Sequence, residues 1–204
     1  MPLITTLAGA SARGYGGLVT FGVPSSYESI ATVTVGSGGA ANVEFTSIPS
    51  TYTHLQIRAL IQTNRASYTI DGFLMRANGV TSANYSRHEL LSSEGSNDTP
   101  LAQGGGSQSN MLIMPTIGSA KANFFGAAII DILDYANTNK YKTARSLAGA
   151  DSNGDTLSYH TQLAISSGAL YINTNAITSL LFYPQNSTAF NQYTQFALYG
   201  IKGA

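Results

Sequence analysis

Asp151-Ser152-Asn153-Gly154-Asp155 sets three oxygen-bearing side chains at alternate positions, the spacing with which a short loop wraps a hard cation. An EF-hand loop continues with Gly at its sixth position and Glu at its twelfth, where this chain has Thr156 and Gln162. A hairpin turn whose Asp and Asn side chains bond the local backbone uses the same residues, so the turn is expected and a bound cation is left open. The three histidines, His54, His88 and His160, fall in no H-x-H or H-x-x-x-H spacing that would suggest a shared metal. None is accompanied by a G-x-S-x-G nucleophile elbow. Each is expected on a surface or sheet face. A glycosidase needs two carboxyls about 5–10 Å apart in a cleft. The nearest pair in a structured stretch is Asp131 and Asp134, and three residues apart on a strand they would point to opposite faces. Glu89 and Glu94 straddle the start of a loop. Gly104-Gly105-Gly106 lacks the Lys-Ser or Lys-Thr and the strand-to-helix setting of a phosphate loop.

The composition narrows the field further. Over 204 residues, 10 Lys+Arg balance 10 Asp+Glu, and only 10% of residues are charged, against roughly 25% in an ordinary soluble domain. Zero net charge gives no long-range field toward nucleic acid or an anionic membrane surface, so neither partner is expected. The chain has no Cys, hence no disulfide framework and no Cys-built metal site. No cofactor is expected. The most apolar window, 124–133, is interrupted by Asp131 and is far short of a membrane span. No basic start precedes an apolar stretch, so no secretory signal is expected. At 43% hydrophobic residues the chain has enough to build one core.

The elements that must position any site read as strands. Leu55, Ile57, Ala59 and Ile61 alternate with His54, Gln56, Arg58 and Leu60, and Val43 and Phe45 alternate with more polar neighbours, which marks strands with one buried face. Residues 30–35 are almost all β-branched. Further strands are expected at 68–76, 85–91, 111–117, 124–135, 143–148, 157–165, 170–173, 177–183 and 193–201. Gly36-Ser37-Gly38-Gly39, Asn78-Gly79 and Asn153-Gly154 suit turns. Pro49, Pro115 and Pro184 are expected at strand ends, where a missing N–H costs least. No window sustains helical spacing. Many short strands at near-regular intervals indicate a sandwich or barrel.

Two regions differ from this pattern. Residues 1–26 are rich in Gly and small residues yet carry Leu3, Ile4, Leu7, Leu18, Val19 and Phe21, together with Arg13 and Tyr15. An apolar, Gly-rich arm of this kind needs a neighbour to lie against. Residues 92–110 are expected to form a long polar loop. Ten tyrosines, among them Tyr52, Tyr135, Tyr193 and Tyr199, lie in or beside strands, where they serve as half-buried strand residues or as contact residues that also stack on sugars. Asn84-Tyr85-Ser86, Asn97-Asp98-Thr99 and Asn186-Ser187-Thr188 match the N-glycosylation pattern and, with no secretory signal expected, are expected to do so by chance.

Three stretches, taken together and in order, carry a resemblance. They are Phe45-Thr46-Ser47-Ile48-Pro49-Ser50-Thr51-Tyr52-Thr53-His54-Leu55-Gln56-Ile57-Arg58, Ile130-Asp131-Ile132-Leu133-Asp134-Tyr135-Ala136-Asn137-Thr138-Asn139-Lys140-Tyr141-Lys142-Thr143 and Phe196-Ala197-Leu198-Tyr199-Gly200-Ile201-Lys202-Gly203. The chain resembles virion structural proteins of tailed bacteriophages, of the kind found in aquatic and cyanobacterial phages, over roughly residues 40–203. Ala10-Ser11-Ala12-Arg13-Gly14-Tyr15-Gly16 is similar to the start of phage tail and fibre proteins. The resemblance implies a jelly-roll-like β-sandwich in a virion and brings no catalytic residue with it.

The resulting expectation is an all-β protein, an antiparallel β-sandwich (jelly-roll-like) over residues 27–204 with an N-terminal attachment arm over 1–26. Leu3, Ile4, Leu7, Arg13, Tyr15, Leu18 and Phe21 would dock the arm on other virion proteins. Asn97, Asp98, Asp151, Asn153 and Asp155 would meet host surface glycan from distal loops. The expected role is non-enzymatic, a tail fibre or receptor-binding component assembled as a homotrimer. The rivals are a capsid decoration protein and, from another class, a polysaccharide depolymerase.

Overall fold

A computed structural model describes residues 26–66, 68–93, 101–119, 122–151, 161–171 and 173–203. Among these residues there are twelve strands and no helix. They are β1 (Tyr27–Thr34), β2 (Val43–Phe45), β3 (His54–Ile61), β4 (Ile70–Ala77), β5 (Tyr85–Ser93), β6 (Leu101–Gln108), β7 (Met111–Ile117), β8 (Gly126–Leu133), β9 (Lys142–Asp151), β10 (Thr161–Tyr171), β11 (Leu180–Pro184) and β12 (Gln195–Ile201). They form an eight-stranded sheet, β1-β12-β3-β8-β9-β10-β5-β6, and a four-stranded sheet, β2-β11-β4-β7. Every neighbouring pair of strands is antiparallel.

The strand order identifies the topology. Without β5, β6, β9 and β10, the remaining sheets read β1-β12-β3-β8 and β2-β11-β4-β7. Early and late strands alternate across each sheet, and the chain crosses from sheet to sheet at β1–β2, β2–β3, β3–β4, β7–β8, β8–β11 (through the β9–β10 hairpin) and β11–β12. That is the paired Greek key of a jelly roll. The fold is therefore an antiparallel jelly-roll sandwich with two inserted hairpins, β5–β6 and β9–β10, which extend one sheet by four strands.

Alternation builds the core. Leu55, Ile57 and Ile61 on β3 and Ile130 and Ile132 on β8 point inward and are buried, meeting Phe73, Met75 and Phe182 from the smaller sheet. Phe196 on β12 joins the sheets, stacked on Phe182 at 4.9 Å and edge-on to Phe73 at 5.8 Å.

Several expected boundaries shift. The stretch 92–110 is not one loop, because β6 occupies Leu101–Gln108 and pairs with β5. Its glycine triplet hides the strand by removing the side chains that would have shown alternation. Gly104 is the register partner of His88, and a Cβ there would lie 2.8 Å from the His88 Nδ1. Within the described residues, the two strands expected at 157–165 and 170–173 are one, β10, whose pairing with β9 slips between Ser167 and Ala169. Pro115 lies inside β7 rather than at an end. There β7 carries one residue more than β4 between Thr116 and Ile113, and β7 is an edge strand, so the missing N–H breaks no ladder.

Candidate functional site

The two ends of the sandwich differ. At one end gather the described residues of four connections, β1–β2, β3–β4, β7–β8 and β11–β12. They enclose an open hollow of about 400 Å³, within the usual range of ligand sites. Its walls include Gln62, Asn64, Asn123, Asn191, Gln192 and Tyr193, and no charged residue lines it among those described.

Backbone ladders hold these connections together. Ala40 and Phe190 exchange N–H···O bonds of 3.0 and 2.8 Å, the Asn191 N–H donates to Gln62 O at 2.8 Å, and the Tyr193 N–H donates to Val35 O at 2.9 Å. Gly39 has φ +76°, and a Cβ there would sit 2.7 Å from Phe190 O, so only glycine fits this approach. Asn64 clamps the loop opposite: its Oδ1 accepts from the Thr188 and Ala189 N–H groups, and its Nδ2 donates to Thr188 Oγ1. Asn191 Nδ2 donates to Gln62 Oε1 at 2.9 Å.

Beneath the hollow lies Asp71, fully buried on β4. Its carboxylate accepts from Thr63 Oγ1 and Ser187 Oγ at 2.8 Å, from Asn186 Nδ2 at 3.0 Å and from the Gly72 N–H at 2.8 Å. Arg65 stands 3.7 Å away. A buried carboxylate persists only when paired and hydrogen-bonded, and these donors come from two of the four connections, 62–66 and 185–194. Asp71 is thus their shared anchor.

Tyr193 forms the lip. It is 68% exposed and has φ +70°, a conformation that costs an aromatic residue about 1–3 kcal/mol. The surrounding ladder holds it there. Asn123, at φ +64°, and Gln192 carry side-chain amides with no hydrogen bond among the described residues. The arrangement offers a flat apolar ring, amides that both donate and accept, and no charge. Such a surface suits a neutral, polyhydroxylated ligand, whose C–H face packs on the ring while its hydroxyls bond the amides.

The opposite end is closed. The Lys142 ammonium donates to the carbonyls of Asn137, Lys140 and Thr174, which consumes its three hydrogens. Burial holds its pKa below the ordinary lysine value. The Tyr135 hydroxyl donates to Pro49 O. Asn78 Oδ1 accepts from the Thr178 and Ser179 N–H groups. The Glu28 carboxylate takes hydrogen bonds from Lys202 and Tyr52, which hold its pKa low and raise that of the Tyr52 phenol. The Tyr52 ring lies over Gly200, where a Cβ would come within 2.3 Å of it. The three stretches that carry the resemblance meet in this body: β3 pairs with both β8 and β12.

The carboxylates and histidines weighed for catalysis or metal binding do not converge into a site among the described residues. Asp131 is bonded by Arg145 at 3.0 Å and Gln56 at 2.8 Å. Asp134 is not on the strand at all; it starts the turn after β8 with φ +50° and pairs with Lys140 at 2.6 Å. His54 accepts the Asp134 N–H at Nδ1, 2.9 Å, a local turn bond. Glu89 is buried beside Arg87. Among the described residues no cluster of three His, Asp or Glu could hold a metal.

Of the expected glycan contacts, Asp151 ends β9, exposed and on the same end of the sandwich as the hollow. Asn97, Asp98, Asn153 and Asp155 lie outside the described residues, as do Glu94, His160 and arm residues Leu3, Ile4, Leu7, Arg13, Tyr15, Leu18 and Phe21. The hollow's own residues escaped the sequence reading. Tyr193 was expected within a strand, but β12 starts at Gln195. The run Phe190-Asn191-Gln192-Tyr193, two aromatics around two amides, was the available clue.

No family model matches this chain, and no curated protein does. Among solved structures, the infectious bursal disease virus VP2 subviral particle aligns over 86% of this chain and 41% of that chain, with 11% identity and a TM-score of 0.11. At that score the likeness carries no argument, and the chain spans less than half of that protein.

Proposed function

We propose that this protein is a non-enzymatic structural component of a tailed-phage virion, a tail-fibre or receptor-binding part whose loop-end hollow takes a neutral host glycan. The observation that carries the reading is the hollow itself: an uncharged wall of amides beside an exposed tyrosine held at φ +70°. The layout of the fold supports it. Ser26, where the arm joins the sandwich, bonds Lys202 at the closed end, so an attachment arm leaves from the end opposite the hollow. The described ends of the β5–β6 and β9–β10 hairpins, Ser93, Leu101, Asp151 and Thr161, lie at the same end of the sandwich as the hollow.

A glycan array probed with the folded full chain tests the binding. Retention of uncharged glycans, lost in Tyr193→Ala, is the expected result, and silence of the wild type counts against the reading. Release of reducing ends from host envelope polysaccharide would replace it with the depolymerase. Gold labelling of intact particles places the protein. Label at tail ends supports a fibre component, whereas label on the capsid favours a decoration protein.

A further inference from the structure

The outward face of the large sheet carries aliphatic residues where an antiparallel sheet facing water carries polar ones. Ile129 on β8 is the register partner of Leu147 on β9. Leu147 pairs with position 165 on β10, an isoleucine, which pairs in turn with Leu90 on β5. These four aliphatic positions form one straight row across four adjacent strands. Ile129 is 43% exposed, Leu147 47% and Leu90 58%. Leu60, also exposed, and Ala127 stand in the next row toward the hollow end. On the other side lies a polar row, Gln56, Asp131 and Arg145, whose charges are already satisfied: Arg145 bonds Asp131 at 3.0 Å, and Gln56 bonds Asp131 at 2.8 Å. Arg58, at the end of the aliphatic row, bonds Gln56 Oε1 and lies 5.0 Å from the Tyr199 ring centre.

We propose that this face joins two copies of the chain about a two-fold axis. A two-fold interface must be self-complementary, with residue i meeting j and j meeting i. A straight row with its centre between Leu147 and position 165 meets that condition. The axis through that centre sets Ile129 against Leu90 of the other copy, and Leu147 against the other copy's position 165. The size fits: the row extends to Arg58 on β3 and Ala102 on β6, and six strands about 4.8 Å apart and about 26 Å long present roughly 700 Å² in projection, close to the about 800 Å² per partner of a standard interface. Asp131 and Arg145 neutralise each other within each copy, so the polar row adds no net charge to the face. Packed face to face, the two sheets lie about 10 Å apart with strands within about 30° of aligned, as in a sandwich core.

Sedimentation of the full chain tests the pairing. A dimer at micromolar concentration is expected, with Leu147→Arg and Ile129→Arg each weakening it at least 100-fold. Because both positions are exposed, far-UV circular dichroism of the variants should match the wild type, and so should their unfolding at concentrations low enough for the wild type to be monomeric, which separates lost association from lost folding. A wild type that stays monomeric, or an oligomer of any order that both substitutions leave intact, overturns the proposal. The axis has its own check, since the chain has no cysteine. Mixed Leu90→Cys and Ile129→Cys variants should be joined by a short bis-maleimide, while neither variant links to itself. Linking within one variant alone places the axis elsewhere and overturns the pairing. Leu7→Asp with Phe21→Asp in the arm should leave the dimer unchanged. If those substitutions dissociate it, the arm of a neighbour covers the face instead, and the proposal falls.

Discussion

At the closed end of the sandwich, side-chain donors and acceptors turn inward onto backbone: Lys142 caps three carbonyls, Tyr135 reaches Pro49, and Asn78 gathers two N–H groups. At the hollow end the same kinds of residue are split. Asp71, Asn64 and Asn191 fasten the connections to one another, while Asn123, Gln192 and Tyr193 are offered outward. Both ends solve the same problem, the backbone polar groups of loops that cover a core. The closed end solves it with one buried ammonium, a tyrosine hydroxyl and an asparagine amide, all turned onto backbone. The hollow end solves it with one buried carboxylate and short polar side chains, which leaves a neutral surface with amides to spare. A tight end suits an anchor, and an end with unsatisfied amides suits a ligand.

The largest effect expected falls on the carboxylate under the hollow. Asp71→Ala strips the shared acceptor from Thr63, Asn186, Ser187 and Gly72, and breaking a buried, bonded charge costs about 3–5 kcal/mol. Denaturant unfolding should show that loss, and glycan retention should vanish as the two connections part. Full retention of glycan by the folded variant would show that the hollow stands without its anchor. Lys142→Met is next. It keeps the apolar stem but leaves carbonyls of Asn137, Lys140 and Thr174 without their donor, at a cost of about 3 kcal/mol. For a chain of this size that lowers Tm by about 6–12 °C. Glycan retention below the melt should not change, because the effect is confined to the far end; a matching loss of binding would mean that the ends are coupled.

Tyr193 separates binding from stability. Tyr193→Ala should weaken glycan retention at least tenfold, about 1.4 kcal/mol, with little change in unfolding. Tyr193→Gly should lose binding to the same degree yet raise stability by about 0.5–1 kcal/mol, because glycine accepts φ +70° without strain. If the glycine variant proves less stable than the alanine variant, the left-handed backbone is not under strain and the contrast between the ends weakens.

Period-two patterning made the sandwich core readable, since Leu55, Ile57, Ala59 and Ile61 are all buried where alternation put them. The strand β6 stayed hidden because glycines have no side chain to alternate, and β10 looked like two strands because its pairing slips at Ser167. The hollow was illegible for a different reason. Its residues come from four connections up to 155 positions apart, Gly38 to Tyr193, and only the strand order brings them together. Asp71, on β4, showed no local sign of its role, because its partners Asn186 and Ser187 arrive from the far side of the chain.

The smallest effect concerns pH and belongs to the closed end. The Lys140 hydrogen bond holds the Asp134 carboxyl below the ordinary aspartate value in the folded chain. Folding then favours the ionised form, so the unfolded chain binds more protons through the acid window. The stabilisation is fully present above the ordinary aspartate pKa, and it is lost as pH falls through the depressed folded value. Asp134→Asn removes it at every pH. The gap in Tm between wild type and Asp134→Asn should therefore be flat near neutrality and close in acid. The pair is partly exposed, so the gap is small, under about 1 kcal/mol, and salt should narrow it. Since no charged residue among those described lines the hollow, glycan retention should not follow the same acid profile. A retention curve that falls with the Asp134 titration would tie the ligand to the charged end and reverse the assignment of the two ends.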